Sequence, residues 1–578
     1  MKKILSAICL TIILAGCYED KGNYSYKLDR MNEIKSVSFT PSASESAYGK
    51  LIEVQQAMTP SDTVRRIEAV VEQTLATDYS NLHFYWYLRH TDESGIERND
   101  TVETNGYLEV ALPVGREKEY SVYLQIYDTQ TTLSHYTNFS IKTRPIYKNS
   151  LFVLHGEAGS RSLGNIEIIG DVTNIHTDAY GYLYPGVNPF ANAEGLSYTT
   201  YQDISNASGS WDIKETNTLL AFSSNAEVIG YNPFGLNAKF YNSVMMKPID
   251  NSFVYARNIQ TGDPSNYTLY RIVLSKDGQM RIGNYVPALF KPGYAIEQAG
   301  GNALHQTDYQ ITAATITDTR YVMWDAKGGR FLYISKNEQY ALCESDMLGN
   351  YPSALSNPVL DANVDFSALE KSPVGMRAVY AYIQYRENYT EAKPYFIFLD
   401  EASGDFWRYE LIQMEVGTEK EGKKMAKGTD EVKPAFTITG SRMRNFNPRN
   451  VATIVYNSWF TTNYLFYADG ATVYRYSVSN GDSAPLYTAP EGYTVSLLKF
   501  RVEDSNNFSD NLGRWLSIGL EKEGQGAVAE ILLNTASDVD SDTPALFYDK
   551  DNKGRPFGRI KDLQFTQVYM YSVPDYLN

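Results

Sequence analysis

The chain has 578 residues, 43% of them hydrophobic, and its mean hydropathy is -0.37. It is therefore long enough for more than one domain and apolar enough to bury a core in each. The formal charge is -16, and because such an acidic surface repels phosphate backbones, nucleic acid is excluded as an expected partner.

The N-terminus has the three parts of a secretory signal. Lys2 and Lys3 precede an apolar stretch that is shorter than the roughly 20 residues of a membrane-spanning helix. The stretch ends in LAGC at residues 14–17, which resembles the bacterial lipobox, where the cysteine thiol is acylated. We therefore expect residues 1–16 to be a lipoprotein signal peptide and Cys17 to be the lipid attachment site.

The sequence YEDK follows the cysteine at residues 18–21. Acidic residues at this place resemble the surface-export signal of Bacteroidetes lipoproteins. We therefore expect an outer-membrane protein that faces the extracellular medium and contacts the membrane through its lipid anchor only, each buried methylene contributing about 0.8 kcal/mol. Residues 17–31 would form the lipidated N-terminal tether.

Residues 32–145 contain short segments of alternating polarity, which is typical of β-strands. They include IKSVSFTP, LHFYWYLRH, GYLEVALPVG, EYSVYLQIYDT and HYTNFSIKT. About seven such strands in a segment of this length predict an immunoglobulin-like sandwich, with Trp86 of FYWYL in its core. No cysteine pair supports an antibody-type domain, so we expect the PKD-like branch of this fold.

Residues 146–578 repeat compact apolar segments. These are LFVL from 151, LLAF from 219, LYRI from 269, FLYI from 331, YFIF from 395, YLFY from 464 and WLSI from 515. Their mean spacing of about 61 residues is typical of a blade of four short strands. The repeat predicts a β-propeller of about seven blades, closed by DLQFTQVYMYSV near the C-terminus. Two or three unrelated β-sandwiches in tandem are the alternative.

Tyrosine is unusually frequent, with 47 residues against 24 phenylalanines and 6 tryptophans. Because tyrosine favours strands, the excess first of all indicates an all-β protein. A tyrosine-rich recognition surface is the second explanation. No sustained helical periodicity follows the signal, so we expect almost no helix.

The lipobox, CYEDKGNYSY, the segment YSVYLQIYDTQTTLSHYTNFSIKT and the following LFVLHGEAGSRSLGNIEII together resemble the PKD-like family lipoproteins of Bacteroidetes. The resemblance implies an accessory role beside a SusC/SusD-type, TonB-dependent nutrient importer. A SusC-like transporter and a SusD-like lipoprotein would be the partners, and a peptide or glycan would be the ligand. The family has no established active site to carry across.

No sequence pattern predicts a catalytic centre. The six histidines form no His-Glu-x-x-His pair, and no Gly-x-Ser-x-Gly elbow occurs. We therefore expect a non-enzymatic protein that binds substrate or docks on the transporter. The alternatives are a scaffold with protein partners only, and a propeller-based glycan or peptide hydrolase or lyase, for which two acidic residues would suffice.

Two loops of the second segment combine aromatic residues with Gly, Pro and Asn. They are YGYLYPGVNPFANAEG at 180–195 and GYNPFGLNAKFYN at 230–242. Loops of a propeller are where ligands bind, so Tyr184, Phe190 and Phe234 are candidate ligand contacts. The alternative is that each of these rings packs its loop against the blade.

The sequence DVDSD places Asp538, Asp540 and Asp542 at alternate positions. Three carboxylates so spaced could bind one calcium ion, the single cofactor that the sequence suggests. The EF-hand pattern is not matched, since Thr543 and Asp549 stand where glycine and glutamate are required. A solvated acidic turn is the alternative.

Overall fold

The computed structural model describes residues 32–567 with internal gaps, the longest of which are 241–254, 336–358 and 414–435. The chain divides into two compact units, Met1–Pro145 and Ile146–Asn578. In the residues described, helix is confined to α1 (Ala179–Leu183) and two 3-10 turns. None of these described helices has the length and apolar character needed to cross a membrane.

The N-terminal unit has two sheets in its described residues. The strands are β1 (Ile34–Thr40), β2 (Ser44–Ser46), β3 (Gly49–Gln55), β4 (Val64–Gln73), β5 (Leu82–Thr91), β6 (Glu97–Thr104), β7 (Tyr107–Ala111), β8 (Glu119–Asp128) and β9 (Leu133–Arg144). One sheet has the order β1-β4-β7 and the other β2-β3-β9-β8-β5-β6. Only β3 and β9 pair in parallel among these described strands. The unit is the PKD-like sandwich that the sequence predicts.

Side chains of both sheets form one hydrophobic core. Phe84 and Trp86 of β5 are fully buried, as are Ile67 of β4 and Leu108 of β7. The indole N–H of Trp86 donates to Oγ1 of Thr104 at 3.1 Å, so the one polar atom of this ring is satisfied. The prediction that Trp86 lies in the core is confirmed.

The C-terminal unit consists of the following strands in its described residues. They begin with β10 (Asn149–His155), β11 (Ser162–Ile169), β12 (Val172–His176), β13 (Ala193–Ser205), β14 (Asp212–Ser223), β15 (Val228–Tyr231), β16 (Ala238–Phe240), β17 (Tyr255–Thr261), β18 (Tyr270–Ser275), β19 (Met280–Asn284), β20 (Lys291–Pro292), β21 (Ala295–Glu297), β22 (Ala303–His305), β23 (Ile311–Ile316), β24 (Arg320–Asp325) and β25 (Arg330–Ser335). They continue with β26 (Val359–Asp361), β27 (Arg377–Tyr385), β28 (Ala392–Asp400), β29 (Asp405–Gln413), β30 (Phe436–Arg442), β31 (Tyr464–Asp469), β32 (Thr472–Ser477), β33 (Ser483–Thr488), β34 (Thr494–Phe500), β35 (Trp515–Lys522), β36 (Gln525–Leu532), β37 (Leu546–Tyr548), β38 (Phe557–Gly558) and β39 (Ile560–Gln567).

These strands form seven sheets in the described part of the chain, and each sheet is one blade of a β-propeller. Blade 1 is β12-β11-β10-β39, blade 2 is β13 to β16, blade 3 is β17 to β20, blade 4 is β23 to β26, blade 5 is β27 to β30, blade 6 is β31 to β33 and blade 7 is β34 to β37. The hairpin of β21 and β22 extends blade 4 through a parallel pairing of β21 with β26, and β38 adds to β36.

Each repeated apolar segment falls in a different blade, so the predicted count of about seven blades is confirmed. Strands are counted from β39 in blade 1 and in chain order in the other blades. The segment is then the second strand in blades 1, 2, 3, 5 and 7, the third strand in blade 4 and the first strand in blade 6. This difference in strand position is one reason why the spacing in the sequence is uneven.

The C-terminal strand closes the ring. β39 pairs antiparallel with β10 from Asn149 opposite Gln567 to His155 opposite Ile560. It also contacts the first strands of both neighbouring blades through Asp562. The backbone N–H of Leu196 in β13 donates to Asp562 at 2.7 Å, and Nζ of Lys499 in β34 donates to the same carboxylate at 3.3 Å. The prediction that this C-terminal segment closes the propeller is confirmed for residues 562–567, and residues 568–573 of the segment lie outside the described residues.

A buried histidine fastens the segment before β39 to blade 1. Nε2 of His155 lies 2.7 Å from the carbonyl oxygen of Thr177, and its Nδ1 lies 3.0 Å from the backbone nitrogen of Gly558. These partners require a neutral ring in which Nε2–H donates and Nδ1 accepts. Burial lowers the pKa of His155, which keeps the ring in this neutral state.

A buried carboxylate reinforces the same junction. Asp551 accepts hydrogen bonds from the hydroxyl of Thr177 at 3.0 Å, from the backbone N–H of Lys553 at 2.9 Å, and from both the backbone and side chain of Arg555 at 2.8 Å. Burial raises the pKa of Asp551, but these hydrogen bonds outweigh it and lower the pKa to about 2. The charged form is therefore the one that the fold stabilises.

The propeller should lose stability in acid through Asp551. A carboxyl whose pKa is lowered by folding stabilises the fold above its unfolded pKa, and this contribution disappears as pH falls from about 4 to about 2. We expect Asp551→Asn to lower the free energy of unfolding by about 1–3 kcal/mol at pH 7. The free energy of unfolding of this variant should also change less with pH between about 4 and about 2. Urea unfolding at pH 7 and pH 3 measures both, with the exposed Asp542→Asn as the control. If the free energy of unfolding of Asp551→Asn fell with pH as steeply as that of the wild type, this role of Asp551 would be contradicted.

Candidate functional site

Phe190 of the aromatic loop at 180–195 is packed against blade 2, whereas Tyr182 of the same loop is 52% exposed. Phe190 has no exposed surface, and its ring lies 4.9 Å from that of Tyr231 and 5.6 Å from that of Tyr180. A fully buried ring cannot contact a ligand, so the interpretation of Phe190 as a ligand contact is wrong. Phe190 is a packing residue of the loop.

Tyr184 and Phe234 are the other two loop aromatics. The Tyr184 hydroxyl donates to the carbonyl oxygen of Gly235 at 2.8 Å, and its half-buried ring lies 4.8 Å from that of Tyr180. These contacts hold two loops together, and Tyr184 as a ligand contact stays a prediction. Phe234 lies outside the described residues, as does the expected lipid attachment site Cys17.

The three aspartates of DVDSD are engaged within the protein. Asp538 forms an ion pair with Arg475 at 2.7 Å, and Oδ1 of Asp540 accepts the backbone N–H of Asp542 at 3.0 Å. Within the described ranges, no group of three or more His, Cys, Asp or Glu side chains is arranged to bind a metal ion. A calcium site at these residues stays a prediction.

A row of exposed tyrosines lies on the outer face of the six-stranded sheet in the N-terminal unit. Tyr87 of β5 is 38% exposed, Tyr123 of β8 is 45% exposed and Tyr136 of β9 is 51% exposed. The ring centroids of Tyr87 and Tyr123 are 6.0 Å apart, and those of Tyr123 and Tyr136 are 5.6 Å apart with planes inclined by 28°. We call the surface of these three residues the tyrosine platform.

The alternation of the strands puts these rings on the solvent side. In β5 the residues on either side of Tyr87, Trp86 and Leu88, are buried, and in β8 the neighbours of Tyr123, Val122 and Leu124, are buried as well. Successive side chains of a strand point to opposite faces, so both tyrosines point away from the core. Large exposed apolar patches mark interaction sites, which makes the tyrosine platform the candidate site of this unit.

A depression of about 410 Å³ adjoins the platform. Besides Tyr87 and Tyr123, its lining includes the polar residues Arg89, Asn99, Asp100, Thr101, Ser121 and Asn138. Ser121 lies directly opposite Arg89, and its small side chain leaves the space between the larger neighbours open. The depression is widely open to solvent.

The charged groups beside the platform have partners within the sheet. Arg89 pairs with Glu97, and His83 pairs with Glu103 at 2.9 Å. Asp100 pairs at 2.9 Å with His90, which lies on the opposite face of β5 from Tyr87, against the buried ring of Tyr120. The hydrogen bond from Arg89 lowers the pKa of Glu97, so this pair is ionised at neutral pH. Since these groups already satisfy one another, recognition of a ligand falls mainly to the rings and to neutral polar side chains.

Neutral hydrogen-bonding groups surround the rings. Asn99 and Thr101 lie on β6, Ser121 on β8 and Asn138 on β9, and these four side chains have no hydrogen-bond partner among the described residues. Each amide or hydroxyl offers both a donor and an acceptor. The platform therefore combines apolar ring faces with uncommitted neutral polar groups.

The platform was missed in the sequence, where the tyrosines were attributed first to strand propensity and binding was assigned to the propeller loops. One signal was available. FYWYL places Tyr85 and Tyr87 at alternate positions, and YSVYLQIY places Tyr123 and Tyr127 four residues apart on one face, where a half-buried strand ordinarily carries polar residues. The register that sets Tyr87 opposite Tyr123 follows only from the assembled sheet.

The fold and the site define an all-β protein of two units, a PKD-like sandwich with an exposed tyrosine platform and a β-propeller. The PKD-like family model matches residues 17–184. This range contains all the strands of the N-terminal unit and β10 to β12 of the propeller. None of the curated proteins matches the chain.

Two solved structures are similar to parts of the chain. A quinonprotein alcohol dehydrogenase-like protein from Bacteroides thetaiotaomicron VPI-5482 is 10% identical, with 85% of this chain and 92% of that chain covered and a TM-score of 0.33. A chain of the mitotic checkpoint complex is 10% identical, with 65% and 94% covered and a TM-score of 0.32. At these scores the fold assignment rests on the strand order alone.

Proposed function

We propose that the protein is a lipid-anchored component of a bacterial outer membrane that faces the medium and serves a SusC/SusD-type, TonB-dependent importer. On this proposal it is not an enzyme, and it binds the nutrient, a peptide or glycan, for delivery to the transporter. The observation that carries the proposal is the tyrosine platform. The lipobox ending in Cys17, the following YEDK and the family match over residues 17–184 support it.

The platform has the properties of a capture surface. Its rings lie on strands whose opposite faces are packed in the core, so they are positioned before a ligand arrives and little ordering is needed on binding. Tyrosine adds a polar hydroxyl to a large apolar ring that has few rotatable bonds. Such a surface supplies contact area and hydrogen bonds, which is what an accessory binding protein requires.

The two units would then have different tasks. Three exposed tyrosine rings lie next to one another on the PKD-like unit, whereas Phe190, a candidate ligand contact of the propeller, is buried. We therefore propose that the PKD-like unit contacts the substrate and that the propeller docks on the importer. The alternative is that the platform contacts a protein partner only, since tyrosine is also enriched at protein interfaces.

Co-purification from native outer membranes tests the importer association. The chain, tagged at its C-terminus, is extracted in mild detergent, and stoichiometric partners are identified by mass spectrometry. We expect a TonB-dependent transporter and a SusD-like lipoprotein to accompany it, and we expect a Cys17→Ala variant, which cannot be acylated, to leave the membrane fraction. A wild-type chain that emerges alone would contradict the association.

A further inference from the structure

We infer that the tyrosine platform binds pyranose rings of a neutral glycan, with Tyr123 and Tyr136 as the stacking surfaces and Tyr87 as a side wall. The inference rests on the proposed function and names the substrate class of its binding site. It requires ring faces open to solvent, hydrogen-bonding groups placed around them, and a reason to prefer a sugar to a peptide.

The ring geometry meets the first requirement. The C–H bonds on one face of a pyranose carry partial positive charge and pack on the negative face of an aromatic ring. About half of Tyr123 and of Tyr136 is exposed, and their planes differ by only 28° at a centroid distance of 5.6 Å. The two rings are stacked on one another, so a sugar ring would pack on the part of each ring that stays exposed. Tyr87 is inclined by 56° to Tyr123 and forms a wall beside it.

The pairing register places polar groups at both ends of the aromatic row. Thr101 lies opposite Tyr87, Tyr87 opposite Tyr123, and Tyr123 opposite Asn138. Four neighbouring strands at a spacing of about 4.8 Å make this row about 14 Å long, which exceeds the width of one sugar ring. Sugar hydroxyls each donate and accept, as do the neutral side chains of Thr101 and Asn138.

The same face is poorly suited to a peptide. β5 and β8 are interior strands, hydrogen-bonded on both sides, so their backbones cannot pair with an added strand. Arg89 and Asp100, the charged residues of the depression, already have partners in Glu97 and His90. β5 and β8 therefore offer no backbone pairing to a peptide, and the two charged residues of the depression are already paired, whereas a neutral polyhydroxylated ring needs neither kind of partner.

A glycan array followed by calorimetry tests the inference. The full chain, purified from its native membranes in mild detergent, is applied to an array of neutral and charged glycans and to a set of peptides. Binding to neutral glycans is then measured for the wild type, Tyr123→Ala, Tyr123→Phe and Ser121→Trp. The control is Tyr182→Ala, because Tyr182 is 52% exposed but lies in the propeller. Circular dichroism confirms that each variant is folded.

We expect the wild type to bind neutral glycans and Tyr123→Ala to weaken binding about tenfold or more. Tyr123→Phe should stay within about threefold, because the ring face and not the hydroxyl provides the stacking. Ser121→Trp should weaken binding by filling the depression, and Tyr182→Ala should leave it unchanged.

The inference is overturned if the wild type binds only charged glycans or peptides, binds nothing on the array, or binds neutral glycans equally well after Tyr123→Ala and Ser121→Trp. These results are separable from the importer association. If nothing on the array is bound but the transporter still co-purifies, the glycan proposal fails and the importer association stands. If the chain binds a glycan but purifies without the transporter, the association fails and glycan binding stands.

Discussion

Ending the chain at Arg559 should abolish the cooperative unfolding of the propeller. The deletion removes β39, which pairs along the whole of β10, and with it the buried side chains of Ile560, Leu563 and Phe565. Blade 1 is then left without its innermost strand, and the unpaired edge of β10 invites association with other chains. We expect a partly folded, aggregation-prone C-terminal unit and an unchanged PKD-like sandwich.

A chain that ends at Gln567 is the matched control, because it keeps every pairing of β39 with β10. Guanidinium unfolding followed by near-UV and far-UV circular dichroism compares the two chains. The control should show a steep transition of both signals, and the shorter chain should lose the near-UV signal at low denaturant. Equal midpoints and steepness for the two chains would contradict closure by β39.

Arg501→Ala should destabilise the propeller by about 3–5 kcal/mol. The guanidinium of Arg501 donates to both carboxylate oxygens of Glu530, at 2.7 and 2.6 Å, and Ser517 donates to the same carboxylate at 2.8 Å. Only 1% of the Glu530 side chain is exposed, so removal of the arginine leaves a buried charge uncompensated. Arg501 also lies over the rings of Trp515 and Phe565, and Phe565 belongs to the closing strand.

The double variant Arg501→Met with Glu530→Leu removes both charges. It therefore separates the destabilisation by an unpaired buried charge from the net contribution of the ion pair to stability. Replacement of a whole buried ion pair by apolar residues of similar size is often neutral or stabilising. We therefore expect the double variant to lie within about 1 kcal/mol of the wild type in urea unfolding. A loss below about 1 kcal/mol for Arg501→Ala would contradict the buried-charge explanation.

The blades could be predicted because each contains a strand that is buried over several consecutive residues. LFVL in β10 and YFIF in β28 are such strands, and all but the first residue of each run are fully buried. Local composition thus reveals one strand per blade. It does not reveal the position of that strand, so FLYI gave no sign that it is the third strand of its blade.

Contacts between distant residues could not be predicted in the same way. His155 accepts a hydrogen bond from the backbone N–H of Gly558, which is 403 residues away in the sequence. No local sequence pattern predicts this partner. Phe190 is buried by Tyr231, which lies in a different segment of the chain. Because the sequence does not reveal this contact, the aromatic, glycine-rich loop was predicted to be a binding loop. For DVDSD, the partner of Asp538 is Arg475, and the sequence alone does not connect them.

Growth on the glycan that the wild-type chain binds, supplied as the sole and limiting carbon source, tests most directly whether the platform captures substrate for the importer. Strains carrying the wild type, a deletion, Tyr87→Ala with Tyr123→Ala, or the control Tyr182→Ala are compared. We predict that the double variant grows as slowly as the deletion while it still co-purifies with the transporter, and that the control grows like the wild type. A double variant that grows like the wild type, where the deletion does not, would contradict the central role of the platform.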